Sequence, residues 1–173
     1  MKILKIPFPN SSILAGTTYD YTDSYCGNLN KSHYRITQQD IGKAFFLSAP
    51  KWVGTLMVLR NKIVSVFGLK TGNNLKPEDI LDTDFDLQKG TSIGIFKVFD
   101  KNDNEIVMGE DDSHLNFRVS LLLEPEEMKK TLTISTAVIF NNWLGRLYFL
   151  PVKPFHKVIV KSMLKRTLQG LEN

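Results

Sequence analysis

Asp112, Ser113, His114 and Arg118 lie within one short stretch of the chain and form its densest group of chemically useful side chains. A histidine titrates near neutral pH, and a neighbouring carboxylate can orient or charge its ring, so the pair suits proton transfer. On an extended segment His114 and Arg118 share one face, with α-carbons roughly 13 Å apart by strand rise. They are too distant to touch along that strand, so Asp112 or a neighbouring strand would have to bridge them. The same residues equally suit an ion pair that fixes a turn. No serine, histidine or cysteine spacing forms a recognisable nucleophilic triad, and Cys26 has no activating neighbour in sequence. Gly68-Leu69-Lys70-Thr71-Gly72 superficially matches a phosphate loop, but its glycine ends a predicted helix and an extra leucine precedes the lysine. A helix cap is the better reading.

The chain has 173 residues and a net charge of +4. Its mean hydropathy is −0.14 and its pI about 9.1. A length of this order fits one domain that buries about 70% of its unfolded surface. The composition excludes a disordered, collagen-like or low-complexity chain. One cysteine excludes an internal disulfide framework, and three scattered histidines give little material for a metal site. No cofactor is expected. Charge is unevenly spread: Lys76–Asp112 holds four lysines against eleven acids, whereas Asn141–Asn173 holds six cations against Glu172 alone. Mild overall basicity points to no specific nucleic-acid partner.

The first 18 residues show no regular period and read as an irregular segment, and a short strand is expected to end near Leu29. Thr37 and Asp40 have capping-box spacing, and Ile41, Ala44 and Phe45 give the following helix an apolar face. Pro50 opens a second helix in which Trp52, Leu56, Leu59, Ile63 and Phe67 form a stripe and Gly68 a stop. Arg60 and Lys62 near its centre argue against a membrane span. After a loop the period becomes alternating. Strands are expected at Ile93–Phe99, Glu105–Glu110, Leu115–Leu123 and Lys130–Phe140, with Asp100–Asn104 as a hairpin turn. A long helix follows, capped by Asn141 or Asn142, with Phe155, Val158, Ile159 and Met163 as its expected buried stripe. Pro151 and Pro154 each remove a backbone donor, so a kink or break is expected there. Strands joined by short turns exclude a parallel doubly wound sheet. The fold class is therefore α+β, a curved antiparallel sheet gripping a long C-terminal helix, with two further helices before the main strands.

Several motifs in fixed order carry a family resemblance: Pro50-Lys51-Trp52, Leu59-Arg60-Asn61, Phe67–Gly72, Asp112–Arg118, Asn142–Tyr148 and Pro154-Phe155-His156. Over about Tyr19 to Leu168 the chain resembles the bacterial family called domain of unknown function 2867. The resemblance implies a helix-grip fold of the START, birch-allergen and polyketide-cyclase-like kind, and no particular reaction. It further implies a small, largely apolar ligand held between sheet and C-terminal helix. Trp52 and Phe155 would then supply walls, while Asp112, His114, Arg118, Arg146, Tyr148 and His156 could meet the ligand's polar groups. Two alternatives stand beside this non-catalytic reading. One is a cyclase, dehydratase or hydrolase with His114 or His156 as general base. The other is a self-association domain without ligand, forming a homodimer.

Met1 to Pro7 lacks the pattern of a secretory signal, so a cytoplasmic location is expected. Lys153, Lys157, Lys161 and Lys165 recur every four residues along the last helix and predict salt-sensitive attraction to anionic surfaces. With the Phe155 stripe buried on the sheet, no apolar face would remain to insert, so no stable membrane anchoring is expected.

Overall fold

The computed structural model describes residues 2–29, 36–50, 87–125 and 130–172. Trp52 with its expected helix, and the Gly68–Gly72 cap, lie outside the described residues. Among the described residues seven strands form one antiparallel sheet: β1 Leu4–Ile6, β2 Tyr21–Leu29, β3 Ser92–Ile93, β4 Phe96–Lys101, β5 Glu105–Asp111, β6 Leu115–Pro125 and β7 Lys130–Phe140. Their spatial order is β1-β2-β7-β6-β5-β4-β3, so the chain meanders from β3 to β7 and then lays β7 against β2. Helix α1 covers Gln38–Leu47 and α2 covers Trp143–Glu172. The architecture is the expected open, curved α+β arrangement with a long C-terminal helix.

Local sequence explains the element boundaries. Thr37 Oγ1 accepts from the Asp40 N–H at 3.2 Å and Asp40 Oδ2 accepts from the Thr37 N–H at 2.9 Å, a complete capping box at the start of α1. The expected strand Ile93–Phe99 is instead two, because Gly94 adopts a φ of 61° and turns the chain between Ile93 and Phe96. A glycine at the first central position of a two-residue hairpin suits the right-handed twist of the flanking strands. At the next hairpin, Asn102 Oδ1 accepts from the N–H groups of Asn104 at 2.9 Å and Glu105 at 2.7 Å, closing the turn the sequence marks. The N-terminal segment is not wholly irregular: Leu4, Lys5 and Ile6 pair with Cys26, Tyr25 and Ser24.

The two faces of the sheet are covered differently. On the concave face Tyr25, Leu29, Ile106, Met108, Leu121, Leu132 and Ile134 pack with Ile41 and Phe45 of α1 and with Val160, Leu164 and Leu168 of α2. On the convex face Phe8, Ile13, Leu14 and Tyr19 lie over Val107, Ala137 and Phe99. Glu105 fastens this strap. Its fully buried carboxylate accepts from Ser12 Oγ at 2.6 Å, from the Ile13 N–H at 2.6 Å, and from Ser120 Oγ. Burying a carboxylate is costly unless such donors surround it.

Helix α2 departs from expectation in two respects. It runs without interruption through Pro151 and Pro154. Both prolines and the residues four back, Leu147 and Leu150, are exposed, so the carbonyls deprived of intrahelical donors can turn to water. The buried side chains are Phe149, Val160, Leu164, Thr167 and Leu168, not the expected stripe. Phe155 and Val158 are 54% and 58% exposed, while Ile159 and Met163 are half-buried. The stripe through Phe155 was expected one position out of phase because the first half of the helix offers apolar residues on nearly every face. No helix among the described residues is long and apolar enough to cross a membrane.

Candidate functional site

The concave face is not uniformly apolar. Between the main core and a second cluster of Leu115, Val138 and Phe149 lies a polar step made by β2, β7 and α2. Strand alternation sends Tyr21, Asp23 and Tyr25 of β2 to the same face, and Thr136 stands directly opposite Asp23 on β7. His156 reaches this pair from α2. Its Nε2 lies 3.4 Å from Asp23 Oδ1 and 3.1 Å from Thr136 Oγ1. The Tyr21 hydroxyl donates to Asp23 Oδ2 at 2.6 Å. Tyr21 also packs edge-on against Phe149 and carries Lys153 Nζ 5.1 Å from its ring centre.

The electrostatics of this group follow from its burial. The Asp23 side chain is 1% exposed and that of His156 18%, so the carboxylate is enclosed while the imidazole retains a solvent-facing edge. Burial alone would push the Asp23 carboxyl up. Hydrogen bonding and charge from His156, with hydrogen bonds from Tyr21 and Thr136, outweigh it and hold the carboxyl below the ordinary carboxylate range. For Tyr21, burial first, then the bond to Asp23 and its negative charge, push the phenol far above its usual value. At neutral pH Asp23 is thus a carboxylate and Tyr21 a neutral phenol donating to it, with the His156 ring beside them. Such a group can orient a histidine for proton transfer or hydrogen-bond the polar end of a bound molecule.

The other expected site residues are dispersed. His114 is 1% exposed, with Nδ1 3.4 Å from Asp112 Oδ2 and its ring edge-on to Tyr148 at 5.1 Å between centroids. These residues belong to a knot joining the β5–β6 turn to the start of α2. Asn141 donates from its backbone N–H to the His114 carbonyl at 3.0 Å and from its side chain to the Asp112 carbonyl at 2.6 Å. The Asn142 amide donates to the Ser113 carbonyl at 3.0 Å, while its Oδ1 accepts from the Gly145 N–H at 3.1 Å as the cap of α2. The motifs Asp112–Arg118 and Asn142–Tyr148 therefore meet in space. Gly145 makes the approach possible, since a Cβ there would stand 2.0 Å from the His114 carbonyl oxygen.

Arg118 points to the convex face, away from both histidines. It stacks 3.4 Å from the Phe99 ring centre, pairs with Asp111 at 2.7 Å and donates to the Phe117 carbonyl at 2.9 Å. Arg146 is exposed and pairs with Asp20 at 3.1 Å. Phe155 faces solvent and supplies no wall. Of the expected residues that are described, only His156 enters the polar step, and Tyr21, Asp23 and Thr136 were missed. Their signal in the sequence was an acid at a strand position whose neighbours two residues away are both tyrosines, where an apolar face would be expected.

Among the described residues no group of acidic, histidine and cysteine side chains could hold a metal ion. The described residues line shallow hollows on the surface. One of about 400 Å³ lies along Lys5–Phe8 and Thr22–Ser24, and one of about 280 Å³ lies beside Gly94, Phe99 and Asp111. Both are open and shallow. No curated protein and no solved structure matches the chain. A family model does match, over residues 15–163, and by that match the chain belongs to the family described as protein of unknown function, DUF2867.

Proposed function

We propose that the chain is a helix-grip, START-like binding module that takes the polar end of a small, largely apolar molecule at His156 and Asp23. The sheet order, with β7 closed onto β2 and a C-terminal helix laid across the concave face, supports that architecture. One observation carries the reading: an enclosed carboxylate and a partly exposed imidazole interrupt an otherwise apolar sheet–helix interface. A purely structural interface would be served as well or better by apolar side chains of similar volume. Polar groups converging among apolar walls are the usual composition of a ligand site. The walls here are Tyr21, Phe149 and Val152. From Val160 to Leu168 the helix is packed directly onto the sheet, which narrows the site to the half of α2 around His156.

Anilinonaphthalene sulfonate, an amphiphile with one charged end, is a suitable probe for the full chain. Its binding is expected to shift the His156 ring resonances, and His156→Ala and Asp23→Asn are expected to weaken it. Unmoved His156 resonances at saturating probe, or undiminished binding by both variants, would exclude the site.

A second reading is favoured by the 3.4 Å approach of His156 to Asp23, which fits a general base oriented by a carboxylate. His114 does not fit that role, being fully enclosed beside Tyr148. The acid–base reading requires turnover of a bound compound that His156→Ala abolishes while binding survives in the Thr136→Val variant.

A further inference from the structure

The exposed face of α2 carries a row of large apolar side chains. Trp143 is 72% exposed, Leu147 52%, Leu150 67% and Val158 58%. With Pro154 they follow helical spacing at i, i+4, i+7, i+11 and i+15, so they line one side of the helix over about 22 Å. Phe155 lies at the border of the row and is also exposed. Among the described residues, five of the seven exposed large hydrophobics belong to this one helix. A contiguous apolar surface of this kind is unusual on a soluble face without a partner.

The borders of the row are cationic. Lys153, Lys157 and Lys161 run along the side that overhangs β2, where Lys153 Nζ stands 5.1 Å from the Tyr21 ring centre and Lys161 Nζ 5.2 Å from that of Tyr25. Lys5 of β1 pairs with Tyr25 and so presents its side chain on the same face. Arg146 lies near the start of the row, its charge partly met by Asp20. Glu172 is the one acidic residue of α2.

We propose that this face docks the protein on an anionic membrane surface, with the Trp143–Leu150–Val158 row entering the headgroup boundary and the lysines meeting lipid phosphates and carboxylates. An interfacial helix needs an apolar row, a cationic flank and an aromatic anchor at headgroup depth, and α2 supplies all three. The charge pattern selects the occupant. A second copy laid antiparallel on the row about a twofold axis would place each lysine flank against its equal, a repulsion between like charges. A parallel copy would set each flank beside a border of α2 that carries no acid before Glu172. An anionic leaflet is complementary to the same flank, with every lysine near the surface adding to the attraction. Docking of this kind is reversible, since no segment of α2 is apolar enough to span.

Flotation of the full chain with vesicles of phosphatidylcholine, alone or mixed with phosphatidylserine, tests the proposal. Binding is expected to the mixed vesicles and to be weak on phosphatidylcholine alone. Lys153→Ala with Lys157→Ala should weaken it roughly thirtyfold. Raised salt should weaken it in the same direction while leaving a residue of binding that Leu150→Asp removes. Leu150 is exposed, so that variant should keep the wild-type melting temperature, which circular dichroism checks. Absence of binding to mixed vesicles overturns the proposal. So does a dimer by light scattering that Leu150→Asp dissociates while vesicle binding is unchanged, because the row then belongs to a second copy.

Discussion

Asp23 of β2 and His156 of α2, distant in the chain, hold Oδ1 and Nε2 3.4 Å apart beneath the helix, and this pair ties the sheet to α2 where its apolar packing is interrupted. The relationship makes stability depend on pH at both extremes. The folded Asp23 carboxyl is held below its unfolded value of about 3.9, so its contribution is present above that pH and is lost as pH falls through the folded value. The folded Tyr21 phenol is held above its unfolded value of about 10, so its contribution is present below that pH and fades as pH rises beyond it. Chemical denaturation across pH should show Asp23→Asn flattening the acid limb and Tyr21→Phe flattening the alkaline limb. A wild-type acid limb that keeps its slope in Asp23→Asn would remove the carboxylate from this account.

Glu105 gives a prediction confined to the convex face. Glu105→Ala leaves the Ser12 and Ser120 hydroxyls and the Ile13 N–H without their acceptor, at a cost of roughly 3 kcal/mol. Hydrogen exchange should show residues 8–19 losing protection first, with the concave core retained. Uniform loss of protection throughout the sheet would mean that Glu105 supports the whole fold and not the strap.

Gly145 sets two principles against each other. Alanine in place of glycine inside a helix ordinarily stabilises by about 1 kcal/mol. Here the added methyl would meet the His114 carbonyl oxygen, which is backbone and has little freedom to yield. Overpacking should win, and Gly145→Ala is expected to destabilise by roughly 1–3 kcal/mol. A raised melting temperature would show that α2 stands further from the β5–β6 turn.

The phase of α2 is measurable by paired truncations. Leu164 is fully buried and Phe155 is 54% exposed. Leu164→Ala should cost about 2–5 kcal/mol through transfer and cavity effects. Phe155→Ala should fall within about 0.5 kcal/mol of wild type. Comparable losses from both would place Phe155 in the interior, as periodicity alone suggests.

The strands and their turns were legible because their causes are local. Alternation in Leu115–Leu123 and Lys130–Phe140, the Asn102 turn and the Thr37–Asp40 box each act over a few residues, and the structure has them where the sequence puts them. The motif residues around Asp112 and Asn142 were also visible, though as a site for chemistry and not as the knot that seats α2. What the sequence could not decide was which face of α2 is covered. In Trp143–Met163 apolar residues occur on nearly every side, so periodicity is ambiguous, and the contact of Val160, Leu164 and Leu168 with the sheet sets the rotation. That rotation exposes Phe155 and turns His156 inward. Asp23 acquires its role only through it, because a carboxylate on a strand becomes part of a site when long-range packing brings a partner from the far end of the chain.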